Sequence, residues 1–206
     1  MKRTQTLGDV PLYALVVAIV LSTLAGLDRC GGPAPALSQE RVSDQLALAR
    51  VGASECGLAS CTPDELAAIA AVLRARCPEC RLATIARQYS ARVFDRARRD
   101  GRAWVAHLEP DGREPSFWPR EVLVRGELRS HAPWGAYRQR WLDLYELAGR
   151  VVEGEVAAQC EADHWGCPEG TFGCEDHERA LRAGWQLVDC GETRNEFWRI
   201  PRGEDS

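Results

Sequence analysis

A single glutamate stands where an apolar stretch runs out. Glu55 closes the segment Leu46-Ala-Leu-Ala-Arg-Val-Gly-Ala-Ser-Glu55 and is followed by Cys56-Gly57. Shortly after it, Thr62-Pro-Asp-Glu65 opens a second apolar, alanine-rich stretch that runs to Cys77. A carboxylic acid at the end of one apolar helix and facing another is desolvated, and desolvation raises a carboxyl pKa. An acid that keeps its proton near neutral pH can protonate the leaving oxygen of a glycosidic bond. The plainer role for Glu55 is a solvated carboxylate at a helix terminus.

The cysteines and histidines form the other reactive groups. Cys56, Cys61, Cys77 and Cys80 have a spacing compatible with a four-cysteine zinc site, but the residues between the two pairs read as a strong amphipathic helix. Cys160, His164, Cys167, Cys174 and His177 form a second such set. For an exported domain both sets are expected to be disulfides, and no metal or other cofactor is expected. Eight cysteines beyond Cys30 allow four bridges; Cys56 can pair with Cys61 or with Cys77 or Cys80, and spacing leaves that choice open. Cys77-Pro-Glu-Cys80 matches a dithiol redox motif in form, but it ends a helix where such a motif follows a strand. Tyr89, Trp104, Phe117, Trp118, Trp134 and Trp165 are aromatic candidates for stacking on sugar rings, whereas Trp141, Tyr145 and Trp185 have core spacing.

These groups are positioned by a chain of helices. Val42, Leu46, Ala49 and Ala53 share one face of a first helix, with Ser38 or Ser43 as its cap. The second helix has Thr62 as N-cap, Pro63 in the first turn, Glu65 completing a capping box, and a buried stripe of Leu66, Ile69, Ala70 and Leu73. A third is expected over about 82–99, with Ile85, Tyr89, Val93 and Ala97 inward. Residues 101–129 are rich in proline and glycine and read as loop with short extended pieces. Helical spacing returns over 133–152 through Tyr137, Trp141, Leu144, Tyr145, Ala148 and Val151. Residues 154–177 read as irregular, a short helix at 178–183 ends at Gly184, and the tail from Trp185 to Trp198 reads as strand or hairpin. The expected fold is mainly α, with a small, irregular, disulfide-rich C-terminal part.

Residues 11–27 are an uncharged apolar run behind Lys2 and Arg3, at the short limit for crossing a bilayer. They read as a signal peptide or a retained signal anchor within residues 1–30, and the poor cleavage context favours the anchor. The basic N-terminus then stays inside and the rest is exported. Residues 31–38 form a flexible linker, and 39–206 the folded domain. Without Lys2, Arg3, Arg29, Asp9 and Asp28, the 26 basic and 30 acidic residues become 23 and 28, a net charge of −5. That acidic balance gives no patch for a nucleic-acid backbone.

A helix ending in Glu55-Cys-Gly, followed by an Ala/Val-rich helix, resembles the lysozyme-like cell-wall hydrolases of the spore-cortex-lytic kind and the lytic transglycosylases. Cys160-Glu-Ala-Asp-His164-Trp165-Gly166, Gly184-Trp185 and Asp189-Cys-Gly-Glu-Thr-Arg-Asn195-Glu-Phe-Trp198 resemble the C-terminal half of phage-type cell-wall hydrolases. The resemblance covers roughly residues 40–200 and implies a lysozyme-like domain behind an N-terminal transmembrane helix. It implies Glu55 as the catalytic acid, peptidoglycan as the partner, and Tyr89, Ser90, Trp118, His164 and Trp165 along the cleft. One departure matters. Asp64 follows Glu55 at a spacing like that of phage lysozymes, but the threonine of that pattern is replaced by Ala70, and Asp64 is accounted for as a favourable charge in the first turn of its helix. A single-acid mechanism is therefore expected. Glu55 protonates the bridge oxygen and then acts as base toward water (hydrolysis) or the muramic acid C6 hydroxyl (anhydro product). The expected setting is the inner membrane or the secreted state, with the domain in the periplasm or another extracytoplasmic space. Two other readings keep the same cysteines: a non-catalytic, disulfide-stapled envelope-binding module, and a zinc-binding adaptor.

Overall fold

The computed structural model describes residues 39–86, 102–124, 127–170 and 175–202, all within the unit Ser38–Ser206. The apolar run at 11–27 and the linker lie outside the described residues, as do Tyr89 and Ser90. Among the described residues no helix is long and apolar enough to cross a membrane. Helix predominates over strand. Helix α1 spans Gln39–Glu55, α2 spans Pro63–Arg76, a 3₁₀ turn spans Ala103–His107, α3 spans Gly135–Glu153 and α4 spans Asp176–Arg182. Residues 82–86 are also helical.

Helix α1 packs mainly on α3, and α2 packs on both. The buried face of α1 carries Gln45, Leu48, Ala49, Gly52 and Ala53, so it is rotated from the expected stripe, and Val42 and Leu46 are only half-buried. The cause is polar. Gln45 is 6 % exposed and donates through Nε2 to the Tyr145 carbonyl of α3 at 2.8 Å. Gly149 of α3 makes room for that amide, because a Cβ there would lie 2.8 Å from Gln45 Nε2. Ser43 bonds back to the Gln39 carbonyl one turn earlier rather than capping the helix.

Helix α2 starts as its sequence requires. Thr62 is extended, its hydroxyl accepts from the Glu65 N–H at 3.1 Å, and Pro63 follows in the first turn. Leu66, Ile69, Ala70 and Leu73 are all buried. The capping box, however, is not formed by the Glu65 side chain, which turns into the core. In α3, Trp141, Leu144, Ala148 and Val151 are buried on one face, and Gly154 ends the helix in the left-handed conformation.

Two small antiparallel sheets complete the unit. Strands β1 (Glu121–Val124) and β2 (Glu127–Ser130) form a hairpin within the proline-rich segment. The second sheet has the order β3-β5-β4, from His164–Gly166, Glu196–Arg199 and Gln186–Val188. Trp165 lies opposite Phe197 and His164 opposite Trp198, so a segment expected to be irregular becomes an edge strand. Phe197 and Trp198 are each 1 % exposed; Phe197 anchors the sheet to the core, and Trp198 packs edge-on against His177 of α4. Gly184 takes a left-handed conformation after α4.

Among the described residues two cysteine pairs are local and one joins distant segments. Cys56 bonds Cys61, Cys77 bonds Cys80, and Cys160 bonds Cys190 across 30 residues. Cys167 is also disulfide-bonded. Local pairing at 56–61 and 77–80 separates the four cysteines whose spacing fits a single zinc site.

Candidate active site

Glu55 is the last residue of α1, and four contacts fix where that helix ends. Arg50 donates to the Leu108 carbonyl through Nε at 3.0 Å and Nη2 at 2.7 Å. Arg102 donates to the Ser54 carbonyl at 2.7 Å, next to Glu55 itself. The Cys56 N–H still bonds the Gly52 carbonyl at 2.9 Å, so the last turn is closed. The Cys56–Cys61 bridge, with Cα atoms 4.8 Å apart, then closes a loop with four residues between the cysteines, which leads through Thr62 into α2.

The loop is backed from the far end of the sequence. Residues Gly191–Asn195 lie against the start of α2, where Asp64 Oδ2 accepts from the Glu192 N–H at 3.0 Å and the Thr62 hydroxyl donates to the Glu192 carbonyl. Arg194 donates to the Ser60 hydroxyl, which donates in turn to the Cys56 carbonyl at 2.8 Å. Gly191 sits at φ 86°, and a Cβ there would lie 2.5 Å from Asp64 Oδ2, so the close approach requires glycine. Asp64 is further engaged through Oδ1, which accepts from Gln159 Nε2 at 3.3 Å. Its contacts are those of a loop anchor.

Glu55 is half-buried, and its Oε2 accepts from the indole N–H of Trp165 at 3.3 Å. Trp165 is 7 % exposed, so it is a wall of the site rather than an open stacking surface. Arg76, at the end of α2, lies over the Trp165 ring at 5.6 Å and donates to His164 Nδ1 at 3.0 Å. Burial first, and then the charges of Arg76 and Arg179, hold the His164 pKa below its ordinary value. A neutral His164 with Nδ1 accepting from Arg76 fits that environment. Glu55, His164 and Trp165, which are widely separated in sequence, are therefore brought into one contact chain.

The other described aromatic candidates make ring contacts of their own. Trp118 is half-buried in a cluster with Trp104 (4.9 Å between ring centroids), Trp134 (4.9 Å), His131 (4.8 Å) and Tyr137 (5.1 Å), and its indole donates to the Ala132 carbonyl. Trp104 and Trp134 are buried. Phe117 differs. It is 70 % exposed, its ring meets His107 edge-on at 5.1 Å, and it holds φ 67° without being glycine.

Among the described residues the most completely buried carboxylate is Glu65. It is 0 % exposed, and its Oε1 accepts from both the backbone N–H (2.9 Å) and the side-chain amide (2.8 Å) of Asn195. Its Oε2 has no hydrogen-bond partner among the described residues. Burial pushes the Glu65 carboxyl above the ordinary carboxylate range, against the Asn195 hydrogen bonds and the nearby Arg194 backbone and charge, which favour the charged form. Glu65, Arg76 and Asn195 surround the candidate site, and sequence spacing gave Glu65 only a capping role and did not single out Arg76 or Asn195. A signal was present for Glu65, which stands four and seven residues before Ile69 and Val72, on the buried face of α2.

No protein-family model, curated protein or solved structure matches this chain.

Proposed function

We propose that this protein is a peptidoglycan glycosidase of lysozyme-like type, with Glu55 as its general acid and base, acting outside the cytoplasm behind its N-terminal apolar segment. The observation that carries the reading is the placement of Glu55. It ends a buried helix yet stays half-open to solvent, its loop is covalently closed, and one carboxylate oxygen is oriented by the Trp165 indole. A general acid needs that combination, because the carboxyl must be reachable by substrate and still be held in one geometry.

In this mechanism the Trp165 N–H holds Oε2, and the protonated carboxyl donates its proton to the bridging oxygen between two sugars. As the glycosidic bond breaks, positive charge develops on the ring left without its leaving group. The Glu55 carboxylate then takes a proton from the incoming hydroxyl, either water or the C6 hydroxyl of the same sugar. Arg76, resting on Trp165 and bonded to His164, keeps the indole from rotating. Phe117 offers an exposed aromatic face for a sugar ring at a distance from the acid.

Clearing of a purified peptidoglycan suspension by the oxidised full-length protein, with mass analysis of the released fragments, tests the reading. Fragments with reducing ends signify hydrolysis and anhydro ends signify transglycosylation. Sedimentation with peptidoglycan but no fragments points to the non-catalytic envelope-binding module instead.

A further inference from the structure

The Glu55 loop carries a second constellation, centred on Glu65, a carboxylate that the glycosidase reading does not use. The sulfurs of Cys56 and Cys61 and a carboxylate oxygen of Glu65 all lie within 4.8 Å of one another. Cys56 and Glu65 are buried and Cys61 is half-buried, which gives the group one approach from outside. Glu65 is completely buried, and Oε2 finds no partner among the described residues, while Oε1 is fixed by Asn195. An orphaned oxygen in a sealed core is costly unless another state of the molecule satisfies it.

We propose that the Cys56–Cys61 loop is a redox-gated metal site: once the disulfide is reduced, Cys56, Cys61 and Glu65 bind a thiophilic divalent cation such as zinc. In the gating step a dithiol or a phosphine supplies two electrons to the S–S bond and the sulfurs take up two protons. The dithiol closes to its own disulfide, or the phosphine becomes its oxide with oxygen from water. The cation then displaces the two thiol protons and any proton on Glu65, forming two metal–sulfur bonds and one metal–oxygen bond. Two thiolates cancel the divalent charge in an environment that would not tolerate the bare ion, and the carboxylate leaves the site at net −1 beside the Arg194 charge that acts on Glu65. With metal–sulfur bonds of about 2.3 Å and metal–oxygen bonds of about 2.0–2.2 Å, the two sulfurs released by reduction separate to about 3.8 Å, within the 4.8 Å that the present group already spans. A water molecule entering past Cys61 completes a tetrahedral shell. The cation replaces the covalent closure of the loop next to Glu55 with a reversible one.

Cys77, Glu79 and Cys80 form a comparable group. There the acid is exposed, so no orphaned oxygen calls for a cation. The proposed metal site does not depend on Glu55 being an acid.

The test uses the full-length protein with Cys77→Ser and Cys80→Ser, reduced with a phosphine and titrated with cadmium as a spectroscopic stand-in for zinc. The expected result is a thiolate-to-cadmium absorption band that saturates. Cys56→Ser with Cys61→Ser should abolish that component, and Glu65→Gln should weaken it at least about tenfold. Equal affinity in the parent and Glu65→Gln overturns the proposal, including the case in which reduction unfolds the chain and loose thiols bind the metal. Should Glu65→Gln fail to fold, X-ray absorption of the cadmium-loaded parent decides. Two sulfurs with light-atom neighbours support the site, and a shell of four sulfurs overturns it.

Discussion

The two ends of the Cys56–Cys61 loop treat a carboxylate in opposite ways. At the near end, Glu55 stays half-open and takes one hydrogen bond from an indole. At the far end, Glu65 is sealed, with two donors on one oxygen and none on the other. Both follow from helix ends. A residue that closes a helix can project beyond the packed faces, whereas one in the first turn of a buried helix is carried into the core when its face is inward. The difference separates an acid that can meet a substrate from one that organises the chain around it. A carboxyl is recruited for chemistry by access together with orientation, and burial alone does not provide both.

The largest expected effect comes from removing the sealed acid. Glu65→Ala strands both Asn195 donors and should cost about 3 kcal/mol. In thermal melts followed by circular dichroism that is a Tm drop of roughly 6–12 °C, and an unchanged melt would mean the Glu65–Asn195 link holds nothing together. Next is the backing of that end. Gly191→Ala forces a Cβ onto a left-handed residue and against Asp64, for a loss of about 2 kcal/mol. The same melts check it, and a loss confined to the 190–195 loop would appear in hydrogen exchange at Glu192 and Asn195.

At the open end, Trp165→Phe keeps the aromatic wall but removes the donor to Glu55. About 1 kcal/mol of positioning corresponds to a roughly fivefold lower kcat with KM little changed. Steady-state kinetics on soluble glycan fragments would show this, and a change in KM alone would make Trp165 a binding wall instead. The smallest effect lies where α4 meets the central strand β5 of the C-terminal sheet. His177 Nδ1 is 2.7 Å from Glu196 Oε2, and that hydrogen bond, with the charges of Glu196, Glu169 and Glu178, raises the His177 pKa. A raised pKa means stability that is fully present below the ordinary histidine value of about 6.5 and lost as pH climbs through the raised one. His177→Gln should therefore lower Tm at about pH 5.5 and much less at about pH 9, well above the ordinary histidine value. Equal shifts at both pH values would rule out titration of the His177–Glu196 pair as the cause.

What was legible in the sequence follows the range of the interactions. Helix α2 was readable to the residue because Thr62, Pro63 and the Leu66–Ile69–Leu73 stripe act within a few turns. Helix α3 was readable for the same reason, and so was the stop at Gly184. On α1, Ala49 and Ala53 of the apolar stripe are buried as the spacing implies, but Val42 and Leu46 are not, because the buried face also takes in Gln45, matched by Gly149 about a hundred residues away. The destination of Glu65 was hidden because its partner, Asn195, is 130 residues distant and the local capping box gave a sufficient explanation. Strand β3 has three residues and exists only through pairing with β5, so no local periodicity marks it. The contact of Trp165 with Glu55 depends on that pairing and was out of reach for the same reason.

The central claim is that the open carboxylate, and not the sealed one, does the chemistry. It is tested most directly by peptidoglycan clearing with the oxidised full-length protein and its Glu55→Gln variant, each checked by thermal melting. The account predicts clearing by the parent, at least a hundredfold slower clearing by the variant, and melting temperatures within about 3 °C of each other, under the roughly 2–4 °C that 1 kcal/mol shifts Tm in a domain of this size. Clearing by Glu55→Gln at the parental rate would contradict it, and would move the search for the acid away from the end of α1.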